Sequence, residues 1–105
     1  MTQVQIQDQI DSIKNQLIEK YKPQKIFLFG SSVTGKMTED SDLDFLIIKD
    51  DKKDSYNRIV EVYHLIEKDI AADFLVYTPQ EFSERLKLGD PFVTSIPSEG
   101  KVLYG

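Results

Sequence analysis

The chain has 105 residues, 40% hydrophobic and 30% charged, with a net charge of -5, which bounds it to one ordinary globular domain over 1–105. It has no cysteine and one histidine, His64, which excludes disulfides, a thiolate zinc site, a cysteine nucleophile and a histidine-rich metal centre. The acidic balance argues against a broad nucleic-acid grip, and no apolar run approaches the ~20 residues of a membrane span.

Taken in order, the N-terminal stretch MTQVQIQDQIDSIK lacks the basic start and continuous apolar centre of a signal peptide, so a cytoplasmic protein is expected. Ile6, Ile10, Ile13 and Leu17, continued by Ile18 and Tyr21, step by three and four and predict an amphipathic helix. Pro23 ends it and biases Lys22 out of the helical region. Lys25 to Phe29 is a continuous apolar run that suits a strand covered on both faces. Residues 30–41 read as a turn and loop rich in Gly, Ser, Thr and Asp. Leu43 to Ile48 is the second strand, followed by a charged turn, KDDKKDS, expected to be merely solvated. Ser55 is placed to cap a helix carrying Ile59, Val62, Tyr63, Ile66 and Ile70 on one face. Ala71 to Tyr77 is the third strand. Thr78-Pro79-Gln80-Glu81 then starts a helix with a capping threonine, proline at the first position and glutamate at the third. That helix carries Phe82, Leu86 and Leu88 and stops near Gly89. Pro91 and Pro97 predict little helix in the tail, and Lys101 to Tyr104 a last edge strand. The expected fold is α/β (α+β), a small mixed sheet of three to four strands with helices packed on it.

The chemistry lies in three acids. Asp42 and Asp44 stand two apart on one strand and project to the same face, continued by Leu46 and Ile48. Two carboxylates ~5 Å apart repel by about 3 kcal/mol at an effective dielectric of ~20. A divalent cation reverses the sign of that interaction, and hard cations such as Mg²⁺ take carboxylate and phosphate oxygens. Asp73 stands between Ala72 and Phe74 on the third strand. If that strand lies beside the second, three carboxylates converge and can hold two metal ions. Singly, each aspartate is as well explained by a turn or an exposed sheet edge.

Gly30-Ser31 follows the first strand, where glycine lets backbone approach a phosphate. Two motifs compete for it. Residues 30–36, GSSVTGK, match the glycine-x4-glycine-lysine of a P-loop, with LDFLIIKD as an apolar strand with a trailing acid. The residue after Lys36 is Met37, however, not the metal-binding Ser or Thr, and the segment MTEDSD is short and polar.

The other pattern is Gly30-Ser31, ten residues, then Asp42-x-Asp44, with Asp73 later. With SDLDFLII, ADFLVYTPQEF and EGKVLYG, it resembles the minimal nucleotidyltransferases of the DNA polymerase beta-like superfamily across nearly the whole chain. It looks most like the stand-alone members paired with HEPN toxins in toxin–antitoxin modules. The resemblance implies a nucleotidyltransferase fold and Mg²⁺-dependent transfer of a nucleoside monophosphate, AMP from ATP, onto a hydroxyl of a partner. By it, Gly30, Ser31, Ser32 and Lys36 bind the nucleotide. Asp42 and Asp44 hold two Mg²⁺ ions, and Asp73 completes the set as ligand or base. Ser32 stands where family members commonly carry an arginine. The acceptor site is expected to come from a partner or a second subunit, in a homo- or hetero-oligomer; the resemblance suggests a HEPN-type toxin as that partner, with antibiotic or RNA acceptors left open. A function of another class stands beside this one: an antitoxin that masks its partner by contact, without catalysis. His64, Tyr56, Tyr77, Tyr104, Phe82 and Phe92 read as surface or packing residues.

Overall fold

The computed structural model describes residues 2–34 and 42–105. Helix α1 (Gln3–Gln16) opens with a reciprocal cap in which the Thr2 hydroxyl accepts from Gln5 N–H and the Gln5 side chain accepts from Thr2 N–H. Its last turn widens into a π-helical turn, Leu17–Tyr21, that buries both end residues. Lys22, held before Pro23, takes a left-handed φ of 55°. Strand β1 (Lys25–Phe29), a single turn α2 (Ser31–Thr34), β2 (Leu43–Ile48), α3 (Ser55–Leu65), β3 (Ala72–Tyr77), α4 (Pro79–Lys87), α5 (Pro91–Glu99) and β4 (Lys101–Tyr104) follow. The sheet order is β3-β2-β1-β4. β1 runs antiparallel to β2 and to β4, and β2 runs parallel to β3. The predicted mixed sheet is therefore present with four strands.

Alternation along the strands divides the core in two. Ile26, Leu28, Leu43, Phe45, Ile47, Phe74 and Val76 pack under α1 and α3 with Ile10, Ile13, Leu17 and Val62. Phe27, Leu46 and Ile48 turn the other way, toward Ile96 of α5 and Phe82 of α4. The continuous apolar run of β1 is explained by burial on both faces, although its partners are antiparallel.

Several local expectations are corrected. Asp54, not Ser55, caps α3, its carboxylate accepting from Asn57 N–H at 2.8 Å, because Ser55 is already helical. The charged turn is more than solvated. Tyr21 donates its hydroxyl to Asp51 at 3.0 Å, and Lys49 donates to the Tyr21 carbonyl while lying over its ring. Lys53 pairs with Glu61 at 2.8 Å. The tail is helical over nine residues despite two prolines. Pro91 sits at the first position behind an Asp90 cap, where no N–H is needed. Pro97 removes one bond near the end, and Gly100 N–H still reaches Ile96 O at 2.8 Å. Of the α4 leucines, Leu86 and Leu88 face outward, and Phe82 alone of the three turns toward the core.

Arg58 is the one buried charged residue among the described residues. It joins three elements: Nε donates to Lys53 O (2.6 Å), one terminal nitrogen to Val76 O (3.1 Å), and both terminal nitrogens to the Glu81 carboxylate (2.7 and 3.2 Å). Glu81 also closes the predicted capping box with Thr78. The Arg58 guanidinium, helped by that cap, holds the Glu81 carboxyl down to about 2.

Candidate active site

The end of β1 and the start of β2 meet because the strands are antiparallel in a register that sets Phe29 opposite Asp44. The chain then turns at Gly30 with a left-handed φ of 80°. A β-carbon at Gly30 would stand 2.4 Å from Asp44 Oδ2, nearer than real β-carbons come. Glycine is thus required twice, by the backbone angle and by the carboxylate lying against it. The turn α2 begins at once, with Val33 N–H donating to Gly30 O (3.1 Å). The Ser32 hydroxyl donates back to Phe29 O at 3.4 Å, so its role here is to close the turn.

On the other side of β2, the parallel ladder with β3 opens with Leu43 N–H donating to Ala71 O (2.9 Å). Its register places Asp44 beside Asp73, then Leu46 beside Leu75 and Ile48 beside Tyr77. The strand order on which convergence depended is present, and it makes Asp44 and Asp73 neighbours on one sheet face, with Asp42 two residues before Asp44. Asp42 and Asp73 are exposed and Asp44 is half-buried. Desolvation first, then the charges of Asp73 and Asp42, push the Asp44 carboxyl above its ordinary value. The acids therefore already repel one another. As they stand, no three His, Cys, Asp or Glu side chains among the described residues are grouped tightly enough to hold a metal ion.

One contributor escaped the sequence. Tyr63 looked like a core residue of α3, yet it is 41% exposed and reaches round the β3 edge. Its hydroxyl lies 3.3 Å from Asp73 Oδ1 and 3.2 Å from Ala72 O, and its ring meets Phe74 edge-on at 5.1 Å. Burial and the carboxylates of Asp73 and Asp42 push its phenol above the usual value. The signal available was its position on α3 beside a strand whose first residues include an acid. His64 is exposed, as expected of a surface residue. Lys36 lies outside the described residues.

The P-loop alternative fails on topology. Antiparallel pairing of β1 and β2 sets Lys25 opposite Ile48, so Asp50, the trailing acid, lies at the end of the sheet away from Gly30. The helical turn also begins at Ser31, inside the run that would have to be an open phosphate loop.

Comparison with known proteins agrees with this topology. The family model described as "Nucleotidyltransferase domain" matches residues 10–103. The chain is 29% identical over 99 residues to "Putative protein adenylyltransferase MJ0604" of Methanocaldococcus jannaschii, covering 90% of this chain and 94% of that protein. It is 38% identical over 56 residues to "Putative protein adenylyltransferase MJ1379" of the same organism, covering 52% of this chain and 56% of that one. In fold it resembles the crystal structure of a "putative nucleotidyltransferase" from Sulfolobus solfataricus, with a TM-score of 0.55 at 20% identity, over 80% of this chain and 82% of that one. With the family model matching residues 10–103 of the 105-residue chain, this protein belongs to the nucleotidyltransferase domain family.

Proposed function

We propose that the chain is a protein adenylyltransferase that moves AMP from ATP onto a hydroxyl of a partner protein, a HEPN-type toxin encoded beside it. The observation that carries this reading is the register that puts Asp44 between Asp73 on one side and the Gly30 backbone on the other. That the Methanocaldococcus relatives are named protein adenylyltransferases supports a protein as acceptor.

The acceptor oxygen attacks the α-phosphorus. A new O–P bond forms, the bond from the α-phosphorus to the bridging oxygen breaks, and pyrophosphate leaves. We assign the triphosphate to the turn at Gly30 and Ser31, with Ser32 and Lys36 near them in sequence, because backbone N–H groups at such a turn can meet phosphate oxygens. The donor set is hard oxygen, crowded with like charge, and suits a divalent cation. Asp42, Asp44 and Asp73 are the residues that would hold Mg²⁺, which would supply charge neutralisation for the triphosphate. Asp73 stands at the outer side of the set, on the edge strand, where it meets the acceptor as ligand or as base. The protein's contribution is positioning and electrostatics, as in other phosphoryl transfers.

The second reading is an antitoxin that masks its partner by contact, without catalysis. Incubation with α-labelled ATP, Mg²⁺ and the neighbouring gene's product separates the two. Label on the neighbour that disappears with Asp42→Asn/Asp44→Asn supports transfer. Full neutralisation of the neighbour by that double variant, with no label at any time, refutes it.

A further inference from the structure

We infer that Tyr63 is a positioning residue for the acid set, holding Asp73 by one carboxylate oxygen so that the other is presented toward Asp44. The inference rests on the reading of Asp42, Asp44 and Asp73 as the working acids.

Asp73 needs such a partner. Among the described residues it lies on β3, the edge strand beside β2, and its side chain is exposed. A carboxylate there is free to choose among several rotamers. Tyr63 is in the opposite condition. It follows Val62, which is fully buried, so its place on α3 is anchored by the core. Its ring meets Phe74 edge-on, and Phe74, 2% exposed, stacks on the buried Phe45 at 5.5 Å. The hydroxyl at the end of that stack has one proton to share between Ala72 O and Asp73 Oδ1, at 3.2 and 3.3 Å. It is therefore fixed to the backbone of the residue before Asp73 and to the Asp73 side chain together. The tyrosine sets the distance between the start of β3 and α3, and it ties Oδ1. Oδ2 is then the oxygen left for a cation or an acceptor hydroxyl. Groups that orient a ligand from behind in this way commonly change metal affinity or rate by ~10–100-fold. The 3.3 Å contact is long for a charge-assisted bond, which favours the low end of that range.

The test uses the purified chain with Tyr63→Phe, Asp73→Asn and both together. Mn²⁺ binding is read by electron paramagnetic resonance without nucleotide, and kcat and KM for ATP are read in the transfer reaction. Phenylalanine keeps the ring on Phe74, and melting curves verify that each variant is folded. Tyr63→Phe is expected to weaken Mn²⁺ binding about tenfold and to lower kcat more than it raises KM. The double variant is expected to be no worse than Asp73→Asn, because Tyr63 acts through Asp73. Native Mn²⁺ affinity in Tyr63→Phe, or two penalties that multiply, overturns the inference while leaving the site reading intact. An Asp73→Asn variant that behaves as native in both assays overturns the site reading and this inference with it.

Discussion

Gly30→Ala tests how closely the Asp44 carboxylate lies against the turn at Gly30. Two costs are separable. An alanine at φ 80° is strained by about 1–2 kcal/mol whatever surrounds it. Its β-carbon would also stand 2.4 Å from Asp44 Oδ2, so the carboxylate has to swing away or the turn has to move, adding about 1–3 kcal/mol. Gly89 provides the control, because its φ is 74° and nothing lies within 4 Å of a β-carbon built there. Gly89→Ala should therefore cost about 1 kcal/mol and Gly30→Ala about 3 kcal/mol in urea unfolding, the latter a fall of about 12 °C in Tm. In an Asp44→Ala background the offending oxygen is gone and the nearest remaining atom, the Asp44 β-carbon, is at an ordinary 3.7 Å. The Gly30→Ala penalty should then shrink to that of Gly89→Ala. With Asp44 present, its displacement should also cut nucleotide transfer about a hundredfold. An equal Gly30→Ala penalty with and without the Asp44 carboxylate would refute the reasoning.

Asp44→Asn should abolish transfer and yet raise stability at pH 7. The folded state holds the Asp44 carboxyl above its ordinary value of 3.8, so native stability falls as pH rises through that value, and an always-neutral amide escapes the loss. Urea midpoints of the two proteins at pH 7 check it; a lower midpoint for Asp44→Asn would count against the crowding of charge described above. Arg58→Met should cost about 2 kcal/mol, since the carbonyls of Lys53 and Val76 lose a buried donor while the partly exposed Glu81 can hydrate. Glu81 is held low in the fold, so the stability it contributes is present above about 4.5 and lost as pH falls toward about 2. Urea titrations across that window should show the loss in the native protein and a shallower one in Arg58→Met.

What could be read ahead of the structure was what depends on neighbours in sequence. The β1 and β2 runs, the Asp42-x-Asp44 spacing and the Thr78–Glu81 capping box are local patterns and are found as expected. Asp73 was singled out as an acid in an apolar strand, but its place beside Asp44 depends on the parallel register that the α3 crossover creates. The sequence points to Gly30 for its freedom near a ligand, whereas the approach of Asp44 to it needs the antiparallel register of β1 and β2. Period alone puts Tyr63 on the apolar stripe, and only the sheet edge shows that its hydroxyl leaves the core. Pro97 was weighed as a helix breaker by its own chemistry. The helix persists because Val93 and Ile96 are buried and one lost bond near a helix end is a small part of that packing. In the charged turn, the lysines and aspartates read as solvated, yet Tyr21, thirty residues away from Asp51, gathers two of them.

The claim at the centre is that Asp42, Asp44 and Asp73 catalyse transfer to a partner rather than decorate a binding surface. Intact-mass analysis of the neighbouring gene's product, purified after co-expression with this chain, tests it most directly. The native chain should leave the partner heavier by nucleoside monophosphate, on a hydroxyl, and the Asp44→Asn chain should leave it unmodified. A partner neutralised by the native chain at its unmodified mass would contradict the account.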